Sequence, residues 1–244
     1  MNFIANFLTC LSLLFGFISL IFSLEQHFTF SAWAIMLSVV FDGLDGQVAR
    51  LNPVPSELGK QLDSLVDVVA FGIAPSLLGY VFIYSHFHLW AVAALFIYLF
   101  CCVWRLAKYN ITAKEEMANC FIGLPTTISG AVLASFILIY RKQEEMLFPE
   151  FLPDILGPQF MPYIFIVLVL VLAFLMISRV RYLNLDGLKK FLGGAMAWFI
   201  LILAAIFIFA GLLRKAGISL FGLFLIYLIF SPFVVKRLNS SKVP

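Results

Sequence analysis

Four aspartates, Asp42, Asp45, Asp63 and Asp67, fall within 26 positions of one another, where one long apolar run ends and the next begins. Buried in a membrane helix, each ionised carboxylate costs about 2.5 to 3.5 kcal/mol, so the four together carry on the order of 10 kcal/mol that a specific partner must offset. On a helix, Asp42, Asp45, Gly46 and Ala49 share one stripe, and Gly59, Asp63 and Asp67 repeat that geometry at a spacing of four. If the connection over 51–58 sets the two helices side by side, the small residues let the backbones approach and the carboxylates converge. Like charges so placed repel unless a cation lies between them. Hard oxygen ligands in that number suit Mg²⁺, Mn²⁺ or Ca²⁺, and four carboxylates can bridge two ions. The plainer alternative is that they are helix-end acids, solvated or paired with Arg50 and Lys60, but two basic residues cannot neutralise four acids.

The elements that must position these acids are membrane spans. Of 244 residues, 63% are hydrophobic and 12% charged, with a mean hydropathy of +1.06, which excludes an ordinary soluble globular domain. Apolar runs near the ~20 residues needed to cross the hydrocarbon recur along the chain. They predict an all-α, polytopic membrane protein of eight spans, at 3–24, 28–48, 64–84, 88–107, 121–140, 161–178, 192–212 and 217–235. The polar connections are too short to hold a second core, so 1–244 reads as one membrane domain. The eight-span arrangement puts 12 of the 16 Lys and Arg residues on one side and Arg141, Lys142, Arg214 and Lys215 on the other. Both termini and the acidic cluster are therefore expected at the cytoplasmic face of the cell membrane.

Other residues invite plainer readings. Cys10, Cys101, Cys102 and Cys120 show no zinc or disulfide spacing and read as reduced packing residues. His86 and His88 read as loop residues remote from the acids, and Pro75 and Pro125 as residues that begin or kink helices. The first span lacks a basic leader and a cleavage site, so it is expected to be retained.

From Asp42 to Asp67 the chain reads Asp-x-x-Asp-Gly-x-x-Ala-Arg, eight residues, then Gly-x-x-x-Asp-x-x-x-Asp, and this resembles the defining motif of the CDP-alcohol phosphotransferases at every specified position. The resemblance implies that Asp42, Asp45 and Asp63 ligate metal, that Asp67 joins them and acts as general base, and that Gly46 and Arg50 contact the CDP-linked donor. Ser56 occupies the place of a hydroxyl residue that helps hold the pyrophosphate. Family members often begin with Pro-Asn-x-x-Thr near the nucleotide; here Ala5 replaces the proline while Asn6 and Thr9 remain. Asn6 would also suit a helix N-cap. The cofactors implied are Mg²⁺ or Mn²⁺, two per site, and a homodimer is expected; no nucleic-acid partner is.

The flanks point to the acceptor. Val68 to Pro75, Arg105 to Asn110, Phe121 to Pro125 and Met176 to Tyr182 resemble the membrane-embedded phosphatidylserine synthases of bacteria and archaea. This implies transfer of a phosphatidyl group from CDP-diacylglycerol to L-serine with release of CMP. Arg105, Asn110 and Arg179 could contact the serine carboxylate or a lipid phosphate, or simply anchor helix ends. A sister enzyme acting on glycerol 3-phosphate, inositol phosphate or choline is the nearest alternative. An ion transporter is a more remote one, since its acids would be spread along a path rather than gathered in one place.

Overall fold

A computed structural model of the chain describes residues 2–50, 57–83, 88–112, 120–145, 160–183 and 216–240. The described residues are almost entirely helical: α1 (Asn2–Leu24), α2 (Phe28–Arg50), α3 (Glu57–Asp67), a π-helical turn (Val68–Ile73), α4 (Ala74–Ile83), α5 (His88–Thr112), α6 (Thr126–Glu145), α7 (Met161–Ile177) and α8 (Ala216–Ser240). Because α3, the π turn and α4 run on without a break, they make one span, Glu57–Ile83. Among the described residues five helices are long and apolar enough to cross a bilayer, and α6 and α7 contribute shorter apolar stretches, Thr126–Ile139 and Pro162–Ile177. The protein is a polytopic membrane protein; the span predicted at 192–212 lies outside the described residues.

Several boundaries differ from the sequence reading, α5, α6 and the last helix each running about five residues further, and two of the differences bear on the site. The third span begins at Glu57 rather than near 64, because its first two turns are amphipathic rather than apolar. The fifth was expected from 121, yet Cys120–Ile122 forms a strand, β1, paired antiparallel with β2 (Arg181–Leu183), so that Phe121 faces Tyr182. Gly123, with φ of 79°, and Pro125 then turn the chain before α6 starts at Thr126. Residue 123 must be glycine for a second reason as well, since a Cβ there would collide with the Met176 carbonyl oxygen.

In lipid, helices gain little from burying apolar surface against each other, and small or hydroxyl-bearing residues decide the close contacts. Between α1 and α2, which fold back on each other at Glu25–His27, the contact is a ladder of fully buried serines. Ser12 and Ser38 approach to 2.7 Å, and Ser31 lies 2.8 Å from both Ser19 and Ser23. Outward, α1 presents Phe3, Phe7, Leu14 and Phe17, and α5 presents Trp90, Phe96 and Phe100, as expected of lipid-facing surfaces. Inside, Phe165 of α7 packs its ring against Phe82 and Phe136, each with centroids 5.6 Å away, and Phe136 in turn meets Phe221 of α8 at 5.8 Å.

At the centre lies the π turn. Pro75 has no N–H, so the Phe71 carbonyl four residues earlier loses its helical donor, and the Ala74 N–H bonds five residues back to Val69. Tyr98 of α5 fills the gap: its buried hydroxyl donates to the Phe71 oxygen at 2.9 Å and sits 3.0 Å from the Ser129 hydroxyl. Two neighbouring helices close on this turn through glycines. A Cβ on Gly16 of α1 would lie 3.0 Å from Ala70, and one on Gly130 of α6 would lie 3.1 Å from Phe71. Tyr98→Phe should therefore destabilise the protein by about 1 to 3 kcal/mol, the cost of a buried carbonyl without a donor. Thermal unfolding in detergent measures it, and an unchanged midpoint would show that the carbonyl finds another partner.

Candidate active site

The C-terminal half of α2 and the start of the third span carry the four acids. Asp42 lies eight residues before the end of α2, about 12 Å along the helix axis, so the cluster is recessed from the helix ends. One oxygen from each of Asp42, Asp63 and Asp67 falls within 4.8 Å of the others. Asp45 flanks this group and faces α1, within hydrogen-bonding reach of the Thr9 hydroxyl. Asp45 and Asp67 are almost fully buried, at 3% and 8% exposure, yet Asp45 Oδ2 and Asp67 Oδ1 receive no hydrogen bond among the described residues.

Such an arrangement fits a divalent cation. Oxygens bound to one Mg²⁺ or Ca²⁺ stand up to about 4 to 5 Å apart across the ion, which matches the spacing of the three carboxylates. Buried anionic oxygens that nothing donates to are costly unless a cation compensates them. The donor set is all oxygen, which favours a hard ion over zinc or copper.

The surroundings explain how the acids are held. Thr127 donates to Asp42 Oδ2 at 3.1 Å and Thr126 to Asp67 Oδ2 at 3.4 Å, both from the first turn of α6. Arg105 of α5 donates to the Thr126 hydroxyl at 3.4 Å, lies near enough to Asp67 to attract it electrostatically, and has its guanidinium carbon 6.0 Å from the Tyr109 ring centroid. Asn110 is engaged structurally: its side-chain amide donates to Ser64 at 2.9 Å, and its backbone carbonyl accepts from Lys60 at 3.3 Å, clamping the end of α5 to α3.

The remaining predicted residues are distributed as follows. Thr9 is buried, with the Ala5 carbonyl 3.0 Å from its hydroxyl and competing with Asp45 for its one proton. Asn6 is half-buried one turn earlier and, since α1 begins at Asn2, it lies inside the helix and does not cap it. Gly46 is exposed, and a Cβ there would meet nothing within 4 Å among the described residues. Arg50 ends α2, but its side chain and all of Ser56 lie outside the described residues. Arg179 is exposed in the link between α7 and β2. Cys101 and Cys102 are buried packing residues, whereas Cys10 is exposed on α1. Thr126 and Thr127 were not singled out from the sequence. Their only local signal is a pair of hydroxyls directly after Pro125, where a helix starts.

Comparison with known proteins places the chain in a family. A model of the CDP-alcohol phosphatidyltransferase family matches residues 2–171, which include all four aspartates and both threonines. The chain is 32% identical over 228 residues to the CDP-diacylglycerol–serine O-phosphatidyltransferase of Helicobacter pylori, covering 91% of this chain and 87% of that protein. It is 35% identical over 142 residues to the enzyme of the same name from Mycobacterium tuberculosis, covering 56% and 49% of the two chains. With the namesake from Methanocaldococcus jannaschii it shares 34% identity over 134 residues, 54% of this chain and 59% of the other. Such coverage, joined to a carboxylate cluster set where the family motif falls, shows that the chain belongs to the CDP-alcohol phosphatidyltransferase family.

Proposed function

We propose that this protein transfers the phosphatidyl group of CDP-diacylglycerol to L-serine, giving phosphatidylserine and CMP, with Asp42, Asp45, Asp63 and Asp67 as ligands for Mg²⁺ or Mn²⁺, two ions per site. The observation that carries the reading is the convergence of the Asp42, Asp63 and Asp67 oxygens to within 4.8 Å in a recess of the bundle. The names of the relatives support serine as the acceptor.

When bound, the metal ions neutralise the donor's pyrophosphate and favour departure of CMP. The chain's own groups do the rest. Asp67 Oδ1, buried and without a donor, takes the proton of the acceptor hydroxyl as that oxygen attacks the lipid-linked phosphorus and the bond to CMP breaks. Arg105 lies beside Asp67 and is placed to attract the serine carboxylate or a phosphate oxygen. Gly43 and Gly46 support a donor site along α2: a glycine inside a helix costs about 1 kcal/mol, and among the described residues neither has a close neighbour or an unusual backbone to require it. The space they leave suits the CDP moiety, with Asn6, Thr9, Arg50 and Ser56 as its further contacts. We place the site at the cytoplasmic face of the cell membrane, with both termini on that side, and expect a homodimer.

Purified protein in detergent, given CDP-diacylglycerol and Mn²⁺, should release CMP when L-serine is added and stop when the metal is chelated. Release with glycerol 3-phosphate, inositol phosphate or choline in place of serine would move the protein to another acceptor class. No release with any of them, from folded and metal-loaded protein, would sink the enzymatic reading.

A further inference from the structure

The acids come from two spans, α2 and the third, and what ties them together is a third element, the first turn of α6. Thr126 is 1% exposed and stands between two charged groups, accepting from Arg105 and donating to Asp67, both at 3.4 Å. Thr127, the next residue, donates to Asp42 at 3.1 Å. Adjacent positions on one helix start thus reach one carboxylate on each of the two acid-bearing spans.

That start is itself held firmly. The Gly123 amide donates to the Val180 carbonyl at 2.8 Å and the Leu124 amide to Leu175 at 3.0 Å. The Ser129 hydroxyl donates back to the Thr126 carbonyl at 2.7 Å. A hydroxyl can orient a carboxylate without bringing a charge that would compete with a metal ion; a lysine or arginine at the same place could not.

We propose that Thr126 and Thr127 are positioning residues for the metal site: Thr127 fixes the rotamer of Asp42, and Thr126 holds Asp67 by Oδ2 so that Oδ1 stays directed into the cluster. The proposal rests on the reading of these aspartates as metal ligands. Groups that orient metal ligands commonly contribute 10- to 100-fold in metal affinity or activity.

The test uses the full-length protein in detergent, with Thr126 and Thr127 each changed to Val, which keeps the shape and removes the hydroxyl, and to Ser, which keeps the hydroxyl. Mn²⁺ binding is followed directly by electron paramagnetic resonance without substrate, and CMP release is measured alongside. Thr127→Val should weaken Mn²⁺ binding by about 10- to 100-fold and Thr127→Ser should restore most of it. Thr126→Val should lower kcat more than it weakens Mn²⁺ binding, again with recovery in the serine variant. If a valine variant does not fold, the comparison of Ala with Ser at that position replaces it. Parental Mn²⁺ binding and kcat in the valine variants, or equal losses in Val and Ser, would overturn the positioning role while leaving the metal site standing. A parent protein that binds no Mn²⁺ would overturn both.

Discussion

Asp67→Asn is expected to lower turnover by about 10²- to 10⁴-fold, the usual contribution of a general base, while leaving the fold intact. The two side chains have nearly the same shape. An amide oxygen can still accept from Thr126, and the amide nitrogen can donate toward Asp42, which approaches Asp67 within hydrogen-bonding reach. The change also removes one of three carboxylates crowded within 4.8 Å, so the metal-free protein should unfold at the same temperature or higher. Loss of function with retained or increased stability separates a residue kept for chemistry from one kept for packing. Paired measurements of CMP release and thermal unfolding check it, and near-parental turnover would remove Asp67 as the base.

Gly130→Leu should have a large effect although residue 130 does not touch the acids. Its Cβ would lie 3.1 Å from Phe71 Cβ and 3.2 Å from Phe71 Cα, the latter a backbone atom that cannot swing away. Overpacking of this kind costs about 1 to 3 kcal/mol. It should also reach the site, because Gly130 lies one turn after Thr126 and Phe71 one turn after Asp67, so forcing the two helices apart pulls donor from acceptor. Gly222→Leu on α8 is the control, since nothing among the described residues lies within 4 Å of a Cβ there. A lowered unfolding temperature and reduced CMP release for Gly130→Leu alone would bear this out. Matching behaviour of the two variants would show that the contact between α6 and the π turn yields freely.

Much of the site was legible because its signal is local. Carboxylates at spacings of three and four at the ends of apolar runs cannot be explained by packing; the spacing implied that all four converge, and the structure gathers Asp42, Asp63 and Asp67 with Asp45 flanking them. Pro75 was legible in part: a proline within a span needs a neighbour for the freed carbonyl, but nothing in the sequence points to Tyr98 as that neighbour. The serine ladder was missed, although Ser12 and Ser19 stand seven apart, as do Ser31 and Ser38. Matching them requires the register of the α1–α2 hairpin, which is a tertiary property. Thr126 and Thr127 are the same kind of case, ordinary helix-start residues until α2 and the third span are placed beside them. The β ribbon escaped because three-residue strands have too short a pattern to read, and its pairing joins segments far apart in the chain.

That ribbon has a consequence for how the protein is divided. The match to the family model ends at residue 171, although the Helicobacter pylori relative aligns over 91% of the chain, and the carbonyls that anchor the start of α6 belong to Leu175 and Val180, with the strand opposite β1 beginning at Arg181. Tyr182 in turn stacks on Tyr227 of α8, with ring centroids 6.1 Å apart. The segment that the family model matches therefore makes contacts it needs with residues beyond it. A change at Leu175, Val180 or Tyr182, none of which touches the aspartates, would be felt at the acidic cluster through the start of α6.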